Sequence, residues 1–194
     1  MGEAQALDAI KSRLNGRSIV MVGLMGCGKS AVGRRLAHRL GLPFVDADEE
    51  IEKAAGKSIE DIFEDHGEAY FREGERKVLA RLLRSKAQVL ATGGGAFMNA
   101  ETRAAIAETG ISVCLKADLP LLVRRVAKRN NRPLLKNGDP EAVMQKLMDE
   151  RYPIYAEADV TVQSRDVPHE VIVNEILDRL TQALQADAPP GDAP

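Results

Sequence analysis

One stretch of the sequence has the residue types and spacing needed to bind a nucleoside triphosphate. The run 23–30, Gly-Leu-Met-Gly-Cys-Gly-Lys-Ser, fits the phosphate-binding pattern G-x-x-x-x-G-K-[ST]. Its glycines let successive backbone N–H groups turn towards phosphate oxygens at the positive end of the following helix. Lys29 adds a cation for the β- and γ-phosphates, and the Ser30 hydroxyl suits Mg²⁺. We therefore expect a triphosphate site here.

Two aspartates form a second candidate group. Asp46 and Asp48 end a predicted strand, and side chains at positions i and i+2 of an extended chain face the same way. One carboxylate could hold Mg²⁺, directly or through water, and the other could accept a proton or hydrogen bond from an acceptor hydroxyl. The alternative is one helix-capping aspartate and one surface aspartate. Beside a phosphate-binding loop, the sequence favours a shared site.

Glycines and arginines form a third, more ambiguous set. The run 92–95, Thr-Gly-Gly-Gly, follows an apolar strand, and its bare backbone allows a ligand to approach closely, although a flexible turn is the alternative. Arg72 lies three residues before Glu75 on a predicted helix, which alone indicates a surface ion pair. Arg132, in a basic stretch interpreted as a mobile loop, could clamp a transferring phosphoryl group. Arg151, on a helix, could bind a carboxylate through two hydrogen bonds.

The elements that must position these residues alternate between strand and helix. This order predicts an α/β fold with a five-stranded parallel sheet and helices on both faces, and ligands at the carboxyl ends of the strands. The expected strands are 18–22, 42–46, 88–91, 111–115 and 159–162. The expected helices are 4–14, 31–40, 48–55, 58–66, a longer one from Gly67 to Ser85, 99–108, one after Asp118, one that begins at Asp139-Pro140 and is interrupted at Pro153, and 171–184.

Composition narrows the class of protein. The chain has 194 residues and a net charge of −2, so bulk electrostatics indicates neither a nucleic-acid nor a membrane partner. It has no Trp and only 4% aromatic residues, which argues against base-stacking platforms. We expect Cys27 and Cys114 to be free thiols in a reducing compartment. The first 15 residues carry acids and lack a long apolar run, so we expect no signal peptide and a cytoplasmic protein.

In this order and spacing the motifs resemble the shikimate kinase family, over about residues 17–185. Each motif beyond the phosphate-binding loop is weak alone, but the set is specific. Cys27 stands where the family often has Ala or Ser, and its backbone N–H is unaffected. The matching pieces are the loop 23–30, Phe44 to Asp48 with Ile51-Glu52, Ile59 to Phe63, Gly67-Glu68 with Phe71-Arg72, Thr92 to Gly95, Arg132 to Leu135, and Glu150-Arg151 with Pro153, Tyr155 and Ala158-Asp159.

The resemblance implies an ATP-dependent phosphorylation of the 3-hydroxyl of shikimate, in aromatic amino-acid biosynthesis, on a P-loop kinase fold with a mobile lid. It implies Lys29, Asp48 and Arg132 as catalytic residues, with Asp48 on the shikimate hydroxyls and Arg132 reaching both phosphates and substrate. ATP would be bound by Gly26, Cys27, Gly28, Lys29, Ser30, Ala31, Arg125 and Arg132, with Arg125 stacked on adenine. Shikimate would be bound by Asp48, Arg72, Gly94, Arg151, Phe63 and Phe71, and Mg²⁺ by Ser30 and, through water, Asp46.

The resemblance also predicts the domain organisation. An N-terminal helical extension would cover 1–16 and a kinase domain 17–186, with substrate-binding helices at about 47–76 and the lid at about 127–138. The tail 187–194 is expected to be disordered, and the protein to be a monomer. Two alternatives remain open: a related kinase for gluconate or a nucleoside monophosphate, and a nucleotide-dependent switch without transfer activity.

Overall fold

The computed structural model describes residues 2–128 and 139–186. Over these residues the chain forms five strands, eight α-helices and a one-turn 3-10 helix, Ala96–Met98. The strands are β1 Ser18–Val22, β2 Phe44–Asp46, β3 Val89–Ala91, β4 Gly110–Lys116 and β5 Val160–Gln163. The helices are α1 Glu3–Leu14, α2 Lys29–Leu40, α3 Ala47–Ala55, α4 Ile59–Leu83, α5 Ala100–Thr109, α6 Leu119–Val126, α7 Pro140–Tyr155 and α8 His169–Ala186.

The strands form one parallel sheet in the order β2-β3-β1-β4-β5. The crossover from β1 to β2 moves towards one edge of the sheet, whereas the later crossovers move towards the other. Right-handed crossovers in opposite directions place their helices on opposite faces. Accordingly α2 packs with α1 and α8, while α4 packs with α5 and α6 packs with α7. The predicted fold class is confirmed.

The central strands are mostly apolar because helices cover both of their faces. All five residues of β1 are buried, as are all three of β3 and the first six of β4. The edge strand β2 is only half-buried. The N-terminal helix α1 joins the core through Ile10 and Leu14, which are each 2% exposed. None of the helices within 2–128 and 139–186 is long and apolar enough to cross a membrane.

The sheet reverses its strand order between β1 and β3. The chain leaves β1 towards the β2 edge and leaves β3 towards β4, and such a switch point opens a crevice at the carboxyl ends of the two strands. The phosphate-binding loop follows β1, and the run 92–95, called here the glycine turn, follows β3. Asp46 ends β2, the next strand along. The sequence-predicted groups therefore meet at one edge.

Several local expectations need correction. Asp48 lies in the first turn of α3 and not in an extended strand, because the helix begins at Ala47. Pro153 does not interrupt α7, which continues to Tyr155, so the helix ends two residues after the proline. Gly67 does break α4, with φ 78° and ψ 176°. The predicted lid from residue 129 onward and the predicted tail lie outside the described residues.

Candidate active site

Two adjoining cavities open at the carboxyl edge of the sheet. The phosphate-loop cavity is lined by Gly26, Gly28, Lys29, Ala31, Thr92, Arg125 and His169, among others. The arginine cavity is lined by Phe63, Phe71, Arg72, Glu75, Gly93, Gly95 and Arg151, among others. The two cavities share Met25, Ser30, Asp46, Asp48 and Gly94. A triphosphate in one would therefore lie next to a small molecule in the other.

The phosphate-binding loop owes its shape to glycine. Gly23 has φ +138°, and a Cβ there would lie 2.5 Å from the Leu115 carbonyl oxygen, so only glycine fits. The side chain of Lys29 is buried, and its Nζ donates to the carbonyls of Gly23 at 2.8 Å and Leu24 at 3.0 Å. Because α2 begins at Lys29, its positive end lies at this cavity. The loop thus concentrates N–H groups and one cation where phosphates would bind.

Ser30 and Asp46 place two side-chain oxygen groups between the cavities. The Ser30 hydroxyl donates to Asp46 Oδ2 at 2.7 Å. Asp46 Oδ1 accepts from the backbone N–H of Asp48 at 3.1 Å, so Asp46 also caps α3. Within residues 2–128 and 139–186 no group of three or more His, Cys, Asp or Glu side chains could hold a metal. A hydroxyl and one carboxylate nevertheless fit Mg²⁺, which takes few protein ligands and completes its shell with phosphates and water.

Asp48 faces the glycine turn. A Cβ built on Gly93 would lie 3.1 Å from Asp48 Oδ1. Asp46 and Asp48 both line the part of the cleft that the two cavities share. The prediction attributed this to alternate positions of an extended strand, but Asp48 lies in a helix. Asp46 caps α3, as the alternative supposed, but Asp48 projects from the first helical turn and lines the cleft, so it is not the surface residue of that alternative.

Arg72 belongs to the cavity and is not a plain surface ion-pair residue. Its Nη1 lies 2.8 Å from Glu75 Oε2, and its Nη2 lies 3.0 Å from Glu68 Oε1. A Cβ on Gly95 would lie 2.6 Å from the Arg72 guanidinium carbon, so the guanidinium lies directly against the glycine turn. Phe71 and Phe63 lie beside it with ring centroids 4.7 Å apart, and both line the arginine cavity.

Glu75 is a site residue that we did not predict. It is 2% exposed, and its Oε1 has no hydrogen-bond partner in the described part of the chain. Burial raises the pKa of the Glu75 carboxyl, and the Arg72 charge opposes that rise. A signal was present in the sequence, because Glu75 interrupts the apolar stripe formed by Phe71, Val78, Leu79 and Leu82 on α4.

Arg151 reaches the glycine turn from the other side. It is 8% exposed on α7, and its Nη1 donates to the Gly94 carbonyl at 2.7 Å. Two guanidinium groups, from Arg72 and Arg151, therefore line one cavity together with the carboxylate of Asp48. Such a cavity suits a small anion that also carries hydroxyl groups, because guanidinium groups bind carboxylates and carboxylates accept from hydroxyls.

Arg125 links the phosphate-binding loop to the segment after β5. Its Nη1 donates to Ser164 Oγ at 3.0 Å and to the Gly26 carbonyl at 3.3 Å, and its Nη2 donates to the Arg165 carbonyl at 3.0 Å. Sequence reasoning named Arg125, and by the family resemblance it expected the loop 164–168 near adenine without naming a contacting residue, but it missed His169. Burial lowers the pKa of His169, and the charges of Arg35 and Arg125 act in the same direction.

Cys27 and Cys114 are both free and buried, and burial raises the pKa of Cys114 to about 12. Arg132 lies outside the described residues.

Comparison with known proteins gives a consistent result. The shikimate kinase family model matches residues 25–181. A shikimate kinase of Bradyrhizobium diazoefficiens is 56% identical over 186 residues, covering 94% of this chain and 90% of the relative. A shikimate kinase of Caulobacter vibrioides is 59% identical over 170 residues, covering 88% of this chain and 85% of the relative. The solved structure of the Acinetobacter baumannii shikimate kinase in complex with shikimate matches with a TM-score of 0.85 and 38% identity, covering 93% of this chain and 99% of that one.

Proposed function

The chain belongs to the shikimate kinase family, as its motifs predicted, and we propose that it transfers the γ-phosphoryl group of ATP to the 3-hydroxyl of shikimate. The products are ADP and shikimate 3-phosphate, in aromatic amino-acid biosynthesis. The single observation that carries the proposal is the arginine cavity, in which two guanidinium groups and the Asp48 carboxylate surround a glycine turn beside the phosphate-binding loop.

On the nucleotide side, the loop N–H groups, Lys29 and the positive end of α2 bind the phosphates. The loop also contains Gly26, Cys27 and Gly28, and Ala31 lies in the first turn of α2. We assign these four residues to the ATP site as well. We assign adenine to the end of the cavity at Arg125, whose guanidinium is already held by Ser164 and Arg165. Ser30 and Asp46 would hold Mg²⁺, which supplies charge neutralisation on the phosphates when bound.

On the acceptor side, Arg72 and Arg151 hold the carboxylate of shikimate, with the Gly94 backbone close by. Phe63 and Phe71 form an apolar wall for its ring. Asp48 accepts hydrogen bonds from its hydroxyl groups. This assignment gives each polar group of the acceptor a partner of matching charge.

The reaction then needs mainly positioning and charge. The acceptor oxygen attacks the γ-phosphorus, the new P–O bond forms as the bond to the β-phosphate oxygen breaks, and ADP leaves. The hydroxyl proton passes to the Asp48 carboxylate. Lys29 offsets the charge on the transferring group, and by the family resemblance we assign the same task to Arg132. Closure over the cleft would exclude water, which otherwise competes as acceptor.

We propose a cytoplasmic monomer that uses ATP and Mg²⁺ and binds neither nucleic acid nor membrane. The kinase domain would run from about 17 to 186, with substrate-binding helices at about 47–76, and α1 would be an extension that packs on α2 and α8. The net charge of −2 supports the absence of a polyanionic partner.

The test is acceptor-dependent release of ADP from Mg²⁺-ATP, with shikimate, gluconate and a nucleoside monophosphate supplied separately. We expect shikimate alone to accelerate release, and Asp48→Asn to remove that acceleration. Acceleration by another acceptor would contradict the proposed substrate. Slow ATP hydrolysis that no acceptor changes would favour a nucleotide-dependent switch.

A further inference from the structure

Helix α7 directs two tyrosine hydroxyls to two different backbone groups. The Tyr155 hydroxyl donates to the carbonyl of Gly94, in the glycine turn. The Tyr152 hydroxyl donates to the carbonyl of Ala117, just after β4, at 2.5 Å. The two side chains lie three residues apart on one helix, with ring centroids 6.1 Å apart. Only one of them therefore acts on the candidate site.

The Gly94 carbonyl accepts two hydrogen bonds at a residue that lines both cavities. Besides Tyr155 it accepts from Arg151 Nη1 at 2.7 Å, so two side chains one helical turn apart share one oxygen. A Cβ on Gly94 would lie 3.2 Å from the backbone nitrogen of Met25 and 3.7 Å from the Gly23 carbonyl oxygen. The glycine turn therefore packs between Arg151 and the phosphate-binding loop.

The glycine turn needs external restraint. Three consecutive glycines have little conformational preference of their own, so hydrogen bonds from neighbouring elements must fix the orientation of the Gly94 carbonyl. Tyr155 is suited to this task because it is 2% exposed and packs against Phe97, with ring centroids 6.3 Å apart. Burial also raises the pKa of its hydroxyl, which keeps the proton available for donation at all working pH values.

We propose that Tyr155 is a positioning residue, whose hydroxyl fixes the Gly94 carbonyl and through it the guanidinium of Arg151. Tyr155 is not among the residues that line these two cavities, so the role proposed for it is indirect. The anchored Nη1 leaves the other guanidinium donors for the carboxylate of the acceptor. The inference rests on the proposed function, in that it assigns the acceptor to Arg151.

The test compares Tyr155→Phe with the matched control Tyr152→Phe. Each removes one hydroxyl that donates to a backbone carbonyl and keeps the ring on α7, so general loosening of the helix should affect both alike. We expect Tyr155→Phe to raise the KM for shikimate roughly three- to tenfold, the worth of one net hydrogen bond. Its kcat and its KM for ATP should change less than about twofold, and Tyr152→Phe should leave all three constants near wild type.

A second measurement separates positioning from mere stability. In an Arg151→Lys background the guanidinium is absent, so we expect Tyr155→Phe to add less than about twofold to the KM for shikimate. Equal increases in KM for the two phenylalanine variants, additive effects with Arg151→Lys, or a Tyr155→Phe protein that does not fold would each overturn the inference. Wild-type turnover of shikimate is measured in the same series, so failure of the proposed function would be seen separately.

Discussion

The guanidinium of Arg72 lies 2.8 Å from a carboxylate, that of Glu75, which is 2% exposed and whose second oxygen has no hydrogen-bond partner in the described residues. A buried carboxylate is costly unless it is paired, so this relationship ties the stability of α4 to the orientation of Arg72. The Arg72 guanidinium, which lies against the glycine turn, offsets part of the energetic cost of burying Glu75.

The first prediction concerns pH and Glu75→Gln. Burial raises the pKa of Glu75 above 4.5, so the folded state retains a proton that the unfolded state has lost. The raised pKa of Glu75 therefore stabilises the folded protein. The stabilisation is complete at a pH below the pKa of Glu75 in the unfolded chain, and it is lost as the pH rises through the pKa of Glu75 in the folded protein. Glu75→Gln lacks this titration, so its stability relative to wild type should improve as the pH rises from below 4.5 towards neutral.

Denaturant titrations of both proteins across that range give the comparison. Glu73→Gln on the same helix is the control, because the exposed Glu73 pairs with Arg76 and its pKa is lowered. Its relative stability should change little, and in the opposite direction. A stability difference between Glu75→Gln and wild type that is independent of pH would contradict the assigned burial effect.

The second prediction concerns recognition of the carboxylate. Arg72→Ala should raise the KM for shikimate between about tenfold and about a hundredfold, the range for a charge-assisted hydrogen bond, and the KM for ATP less than about twofold. Arg76→Ala, one turn further along α4, is the control, since Arg76 pairs only with the exposed Glu73 and Glu101 among the ion pairs described. Equal increases in both KM values would remove Arg72 from the acceptor site.

The third prediction concerns proton transfer. Asp48→Ala should lower kcat by a factor of about 100 to 10,000, the usual contribution of a positioned general base, and leave ATP binding intact. Asp65→Ala serves as the control, because Asp65 is exposed and pairs with Lys57 away from the cleft. Calorimetric titration with ATP measures binding, and substantial residual turnover would remove the role assigned to Asp48.

The fourth prediction concerns the metal. Ser30→Ala removes the hydroxyl that lies 2.7 Å from Asp46, so the Mg²⁺ concentration for half-maximal rate should rise by about tenfold or more. Ser30→Thr retains the hydroxyl and should stay near wild type. Identical Mg²⁺ dependence in all three proteins would show that Ser30 does not hold the ion.

The fifth prediction concerns the glycine turn. Gly95→Ala would place a Cβ 2.6 Å from the guanidinium carbon of Arg72, so this variant should lose affinity for shikimate. Gly74→Ala is the control on α4, because nothing lies within 4 Å of the new Cβ and the helix should gain about 0.5–1 kcal/mol. Thermal unfolding and acceptor kinetics report the two effects. Normal shikimate kinetics in Gly95→Ala would contradict the observed packing of Arg72.

Sequence reasoning predicted correctly those elements that short-range patterns of apolar residues determine. The apolar run at 18–22 predicted β1 with its observed bounds, and the alternation of elements predicted the parallel sheet. Sequence reasoning was wrong about the backbone at Asp48. It placed Asp48 at the end of an extended strand, whereas α3 begins at Ala47 and so includes Asp48. The three-residue spacing of Arg72 and Glu75 indicated a surface ion pair, although Glu75 interrupts the apolar stripe of α4. The contacts of Arg125 with Ser164 and of Tyr155 with Gly94 join residues too distant in sequence for periodicity to reveal them.

The central claim is best tested by identifying the phosphorylated product. Wild-type protein is incubated with Mg²⁺-ATP and shikimate, and the mixture is followed by phosphorus and proton NMR. The account predicts one new phosphomonoester, on the 3-hydroxyl of shikimate, formed in equal amount with ADP. Inorganic phosphate as the only new product, or a phosphoryl group on a different hydroxyl, would contradict it.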